Sequence, residues 1–191
     1  PIRSQVPGLS PTDTLIWLEE LIGHLARDEM EALARAVQAT TDGLPIFISL
    51  VLGDLKARLP DLAEREARIA FVQGLPQPFA EYAASALRQM NTTLGPGVLP
   101  ALFSVLAKAR APLHLADLTE IVLSPALVRG ADRMPAIGIK DLGPSVIRWL
   151  DVREAGLDHT LAFMHPRLAM VFAQALEPRA EKAETALAAW A

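Results

Sequence analysis

The sequence predicts a mainly α protein with one small β-hairpin near its C-terminal end. Apolar residues recur at helical spacing through most of the 191 residues, and prolines or capping residues stand at the heads of these runs. Only around Gly156 does the pattern become strand-like, in LDVREAG and LDHTLAFMH. A hydrophobic content of 51% is enough to bury a core.

In LSPTDTLIWLEELIGHL, Ser10 is placed to cap a helix, with Pro11 in the first turn and Asp13 three residues beyond the cap, close to a capping box. Leu15, Leu18, Leu21, Ile22 and Leu25 form its apolar face. A second helix is expected from an Asp28 cap with Glu31 in the box position; it carries Met30, Leu33 and Val37 on one face and closes where Gly43 can turn left-handed. From Ile46 to Leu52 the chain is apolar on nearly every side, a pattern shared by buried helices and buried strands; Pro45 at its head and the tail GDLKARL favour helix. Asp61 with Glu64 is expected to cap a fourth helix through Phe71. PQPFAEYAASALRQM opens a fifth, with Phe79, Tyr82, Ala83, Leu87 and Met90 inward.

LGPGV, residues 94–98, reads as a domain boundary, because two glycines flank a proline there and the charge balance changes. The expected division is a helical domain over 9–94, a second domain over 97–177, and the start of a C-terminal helical region over 178–191. After the boundary VLPALFSVLAKAR, LHLADLTEIVL and IKDLGPSVIRWL read as three helices. The hairpin follows, and then a helix from Pro166. Three helices, a hairpin and a last helix is the order of a winged-helix domain. The chain opens on Pro1 and stops within the helical pattern of EKAETALAAWA, so a piece of a longer protein is expected.

Residues 1–95 carry 8 basic and 12 acidic side chains, and residues 96–191 carry 10 of each. Neither part offers the positive excess that displaces counterions from nucleic acid, so DNA and RNA are not expected partners. The longest apolar run, LPIFISLVLG, is about half of a bilayer-spanning helix, and no membrane partner is expected. With no cysteine there are no disulfides, thiolate metal sites or cysteine nucleophiles, which is compatible with a cytoplasmic location. His24, His114, His159 and His165 form no i, i+4 pair of metal ligands. The patterns GxxxxGK[ST], GxGxxG and GxSxG are absent. No metal and no catalytic residues are expected, and the chain alone does not read as an enzyme.

Two short stretches remain. Gly43-Leu44-Pro45 puts a rigid turn at the head of the most apolar segment, which ordinary helix punctuation explains. Met164-His165-Pro166 puts an imidazole where strand passes into helix, a place for an N-cap. Together, with helices before and a winged-helix order between, they resemble the C-terminal half of the nucleotide-binding module of STAND NTPases, the NACHT and NB-ARC-like branch of the AAA+ ATPases. The resemblance covers roughly residues 9–177. It implies an AAA+-type helical lid whose glycine-x-proline motif sets Pro45 against adenine, flanked by Gly43 and Leu44. It also implies a winged-helix domain whose Met-His-Asp motif corresponds to Met164 and His165, with the histidine sensing phosphate. Pro166 departs from that motif by replacing the aspartate.

The resemblance implies ADP or ATP as the bound cofactor, with magnesium and the phosphate loop supplied by an N-terminal NTPase core outside this chain. Further expected partners are a C-terminal sensor or repeat region and, in the active state, other copies of the parent protein in a homo-oligomer. Exchange of ADP for ATP would release the winged helix. Two other readings compete. A DNA-binding winged-helix regulator would read DNA with IKDLGPSVIRWL, which carries only Lys140 and Arg148 against Asp141. A helical interaction scaffold would use Leu44, Ile46, Phe47, Phe163 and Met164 as core alone.

Overall fold

In a computed structural model that describes residues 8–23, 25–90, 94, 97–128, 136–156 and 158–190, Ser10 caps α1 (Pro11–Ile22) through a reciprocal pair of hydrogen bonds. The Asp13 N–H donates to Ser10 Oγ at 3.2 Å, and the Ser10 N–H donates to Asp13 Oδ2 at 2.8 Å. These two bonds satisfy backbone donors that a helix start otherwise leaves open. The chain divides into two units, Pro1–Tyr82 and Ala83–Ala191.

In the first unit, α2 (Arg27–Thr41) does not use Asp28 as its cap. Ala26 holds that position, with no side-chain bond. Asp28 and Glu29 lie in the first turn, where carboxylates favour the positive helix end, and both are engaged by α4 (Arg65–Gln73). Arg65 Nη1 reaches Asp28 at 2.7 Å, and Arg68 Nε donates to Glu29 at 2.5 Å. The apolar segment between them is the helix α3 (Pro45–Arg58), with Ile46, Phe47, Ile48, Leu50, Val51, Leu52 and Leu55 buried against α1, α2 and α4. Packing by three helices accounts for these buried apolar residues, and the exposed side of α3 carries Pro45, Ser49, Gly53 and Lys56. Asp61 does not cap α4; it ends a 3₁₀ turn, Leu59–Asp61, and Glu64 precedes the helix without a side-chain cap bond. The carbonyls of Leu62 and Ala63 accept instead from Arg68 Nη1, so the link stays outside the helix.

The helix α5 (Phe79–Gln89) brings Phe79 and Tyr82 against Phe47, with ring centroids 5.1 and 4.8 Å away. The Tyr82 hydroxyl donates to Asp54 at 2.5 Å. Leu87 and Met90, expected inward, are half-buried.

In the second unit, α6 (Val98–Lys108) is buried along most of its length, and α7 (Leu115–Val122), α10 (Pro166–Ala175) and α11 (Arg179–Trp190) pack on it. Ala180 and Ala183 are fully buried on α11. Lys108 meets Glu184 at 2.9 Å, which raises the lysine above its ordinary pKa and lowers the glutamate below its own. The single helix expected over IKDLGPSVIRWL is two one-turn helices, α8 (Ile139–Leu142) and α9 (Pro144–Ile147). Gly143 at φ 71°, ψ 162° interrupts them, a conformation only glycine adopts readily, and Pro144 restarts the helix.

The sheet is antiparallel, in the order β1-β3-β2. The strands β2 (Leu150–Ala155) and β3 (Asp158–Phe163) form the expected hairpin, with Gly156 at φ 66° and Leu150 opposite Phe163. The third strand, β1 (Leu113–His114), pairs with Leu161 and Thr160. Among the described residues, the protein is mainly helical with this one small sheet, and no helix is long and apolar enough to cross a membrane.

Candidate functional site

The Gly43-Leu44-Pro45 turn joins α2 to α3 and is fixed from several directions. Asp42 and Gly43 are both left-handed, at φ 49° and 67°. The Leu44 N–H donates to the Thr41 carbonyl at 3.0 Å, and the Leu44 carbonyl accepts from Ile48 at 2.9 Å, so the helix begins immediately. Gly43 is buried, and its carbonyl accepts the Leu9 N–H at 2.8 Å. A Cβ on Gly43 would lie 2.8 Å from the Leu9 carbonyl oxygen and 2.7 Å from Gln38 Nε2, which leaves no room for any other residue. The result is that Pro45, exposed at the first position of α3, is presented by a closely bonded turn, two residues before the buried Phe47. An exposed pyrrolidine offers an apolar contact.

Met164 and His165 sit together where β3 passes into α10. The Met164 N–H donates to the Trp149 carbonyl at 3.1 Å, extending the β2–β3 ladder by one bond. Met164 is 40% exposed. His165 is the N-cap of α10, at φ −149°, ψ 136°, with its Nδ1 accepting the Arg167 N–H at 3.1 Å. An acceptor Nδ1 puts the proton of the neutral ring on Nε2, so the exposed imidazole retains one N–H donor. Beneath the join, Phe172 packs edge-on to Phe103 at 4.7 Å and to Trp149 at 5.5 Å, and it stacks on Phe163 at 5.2 Å. Leu168 and Phe172 are fully buried. The N-cap explanation of His165 is therefore realised in the structure. The same bond leaves Nε2 available, at the positive end of a helix and two residues from the exposed Arg167.

Gly43, Leu44 and Pro45 thus share one turn in the first unit, and Met164 and His165 share one join in the second. Asp158 carries no motif that marks it in the sequence. It lies on β3, yet its Oδ2 accepts the N–H of Ala116 at 3.3 Å, serving the start of α7 where His114, the N-cap residue, gives no side-chain bond. The carboxyl is held below the usual aspartate range by the His159 N–H, then by the Ala116 N–H and the nearby His114, whose Nδ1 is 3.7 Å away. No local signal marks this cap, because the acceptor and the helix are far apart in sequence. His24 lies outside the described residues. Among the described residues, no three His, Asp or Glu side chains converge as metal ligands.

Concavities lie elsewhere among the described residues. One, of about 390 Å³, is beside Trp17 and Gly53 in the first unit; another, of about 870 Å³, is beside Gly97, Arg179 and Lys182 in the second. Neither is lined by Pro45 or His165. No family model matches the chain, and no curated protein or solved structure matches it.

Proposed function

We propose that the chain is the lid and winged-helix half of a STAND-type nucleotide switch, closing over ADP or ATP together with an NTPase core that lies outside it. The observation that carries this reading is His165, an exposed imidazole whose Nδ1 is used by its own helix and whose Nε2–H is a donor for a phosphate oxygen. Two features add support. Pro45 is exposed at the head of α3, as a contact for a purine face requires. The element order from α6 to α10, with the antiparallel sheet β1-β3-β2, fits a winged helix.

In this reading the helical domain over residues 9–94 is the lid and catalysis belongs to the core, which also brings magnesium. ADP holds the resting form, and exchange for ATP frees the winged helix for homo-oligomer formation. A hydrogen bond to a charged group contributes about 1.5–3 kcal/mol, comparable to the bias a two-state element needs. Duplex binding is less well supported. The helix that would enter the groove is broken at Gly143, and Arg153 on β2 is ion-paired with Asp151 at 2.6 Å.

The test is ADP release from the protein that carries both core and lid. His165→Ala is expected to accelerate release about ten- to hundredfold, the rate equivalent of one charge-assisted hydrogen bond, and to favour the oligomer. Unchanged release would sink the proposal. So would tight ADP binding by the 191-residue chain alone.

A further inference from the structure

We propose that Pro166 is a positioning residue: it confines His165 to the N-cap of α10 and so fixes its ring as an Nε2–H donor, suited to an anionic oxygen and unsuited to a metal ion. A proline disfavours the α region for the residue before it, and His165 is extended, at φ −149°, ψ 136°. The helix therefore cannot grow backwards over His165. On the other side, the Met164 N–H is committed to the Trp149 carbonyl at 3.1 Å, so the strand cannot give way either. Pro166 has no N–H, which makes the Arg167 amide the first donor of α10, and this is the amide that meets Nδ1 at 3.1 Å. With the lone pair of Nδ1 occupied and Nε2 protonated, the neutral ring has nothing to offer a cation. Its remaining valence is a donor, beside the exposed Arg167 and at the positive end of a ten-residue helix.

The identity of the anion as a nucleotide phosphate rests on the function proposed above. The positioning does not, and the two are separable by experiment. In the 191-residue chain labelled with nitrogen-15 at histidine and arginine, His165 is expected to show one tautomer, protonated at Nε2, with a scalar coupling between Nδ1 and the Arg167 amide nitrogen. Pro166→Ala is expected to lose that coupling and to average the two tautomers. Circular dichroism identifies any variant that has simply unfolded, and wild-type spectra alone already decide the bond. A wild-type ring that averages like that of a short peptide overturns the proposal. So does a Pro166→Ala chain with a lowered melting temperature but an unchanged tautomer, which would make the proline merely structural. If the tautomer is fixed but ADP release ignores His165→Ala, the positioning stands and the nucleotide reading falls. If release responds while the wild-type ring averages, the nucleotide reading stands and the positioning falls.

Discussion

The Leu9 N–H donates to the Gly43 carbonyl at 2.8 Å, so the segment entering α1 is laced to the turn that presents Pro45. Only glycine fits that turn, for two separate reasons: its φ of 67°, and backbone oxygen at 2.8 Å from any added Cβ. Gly43→Ala is expected to destabilise the first unit by about 2 kcal/mol, the usual cost of a strained backbone position. Urea unfolding measures it, and a midpoint equal to wild type would contradict the steric argument.

Arg68 and Glu29 form a nearly buried ion pair, their side chains 12% and 10% exposed. Arg68 also serves the carbonyls of Leu62 and Ala63, so one guanidinium ties α2, α4 and the preceding link together. Arg68→Met would strand the Glu29 carboxylate, with an expected loss of about 3 kcal/mol. Replacing both residues, as Glu29→Leu with Arg68→Met, is expected to recover part of that loss, since no buried charge is left unpaired. A double variant weaker than the single one would refute this account.

Asp158 makes the second unit sensitive to acid. Its folded pKa lies below the ordinary aspartate value of about 3.9, so the stability it contributes is fully present above that value and is lost as pH falls through the folded one. Asp158→Asn is expected to lower the thermal midpoint at neutral pH. The gap from wild type should close as both are taken below the folded pKa of the aspartate, where its carboxyl is protonated as well. A gap independent of pH would assign the effect to shape rather than charge.

Elements whose signals are local were legible in the sequence. Ser10 with Asp13, Pro45, Gly156 and Pro166 each mark a boundary through nearby backbone chemistry, and the structure places a helix start or a turn at each. Elements decided at a distance were not. Asp28 looks like a cap but is drawn to Arg65, and the chain around Asp61 is held out of α4 by Arg68. The strand β1 is two residues long and exists because Leu161 and Thr160 pair with it, which no periodicity records. Gly143 was visible, but its φ and ψ, which break one helix into two, were not. At the candidate site, His165 could be read as a cap from Pro166 beside it. Which of its nitrogens the cap consumes required coordinates.

The pile of Phe103, Trp149, Phe163 and Phe172 ties the end of one strand, the residue before the other and the middle of α10 to the central helix of the second unit. The helix that His165 caps is therefore anchored at its middle to one aromatic cluster, and it runs on to Ala175, near where the chain turns into α11.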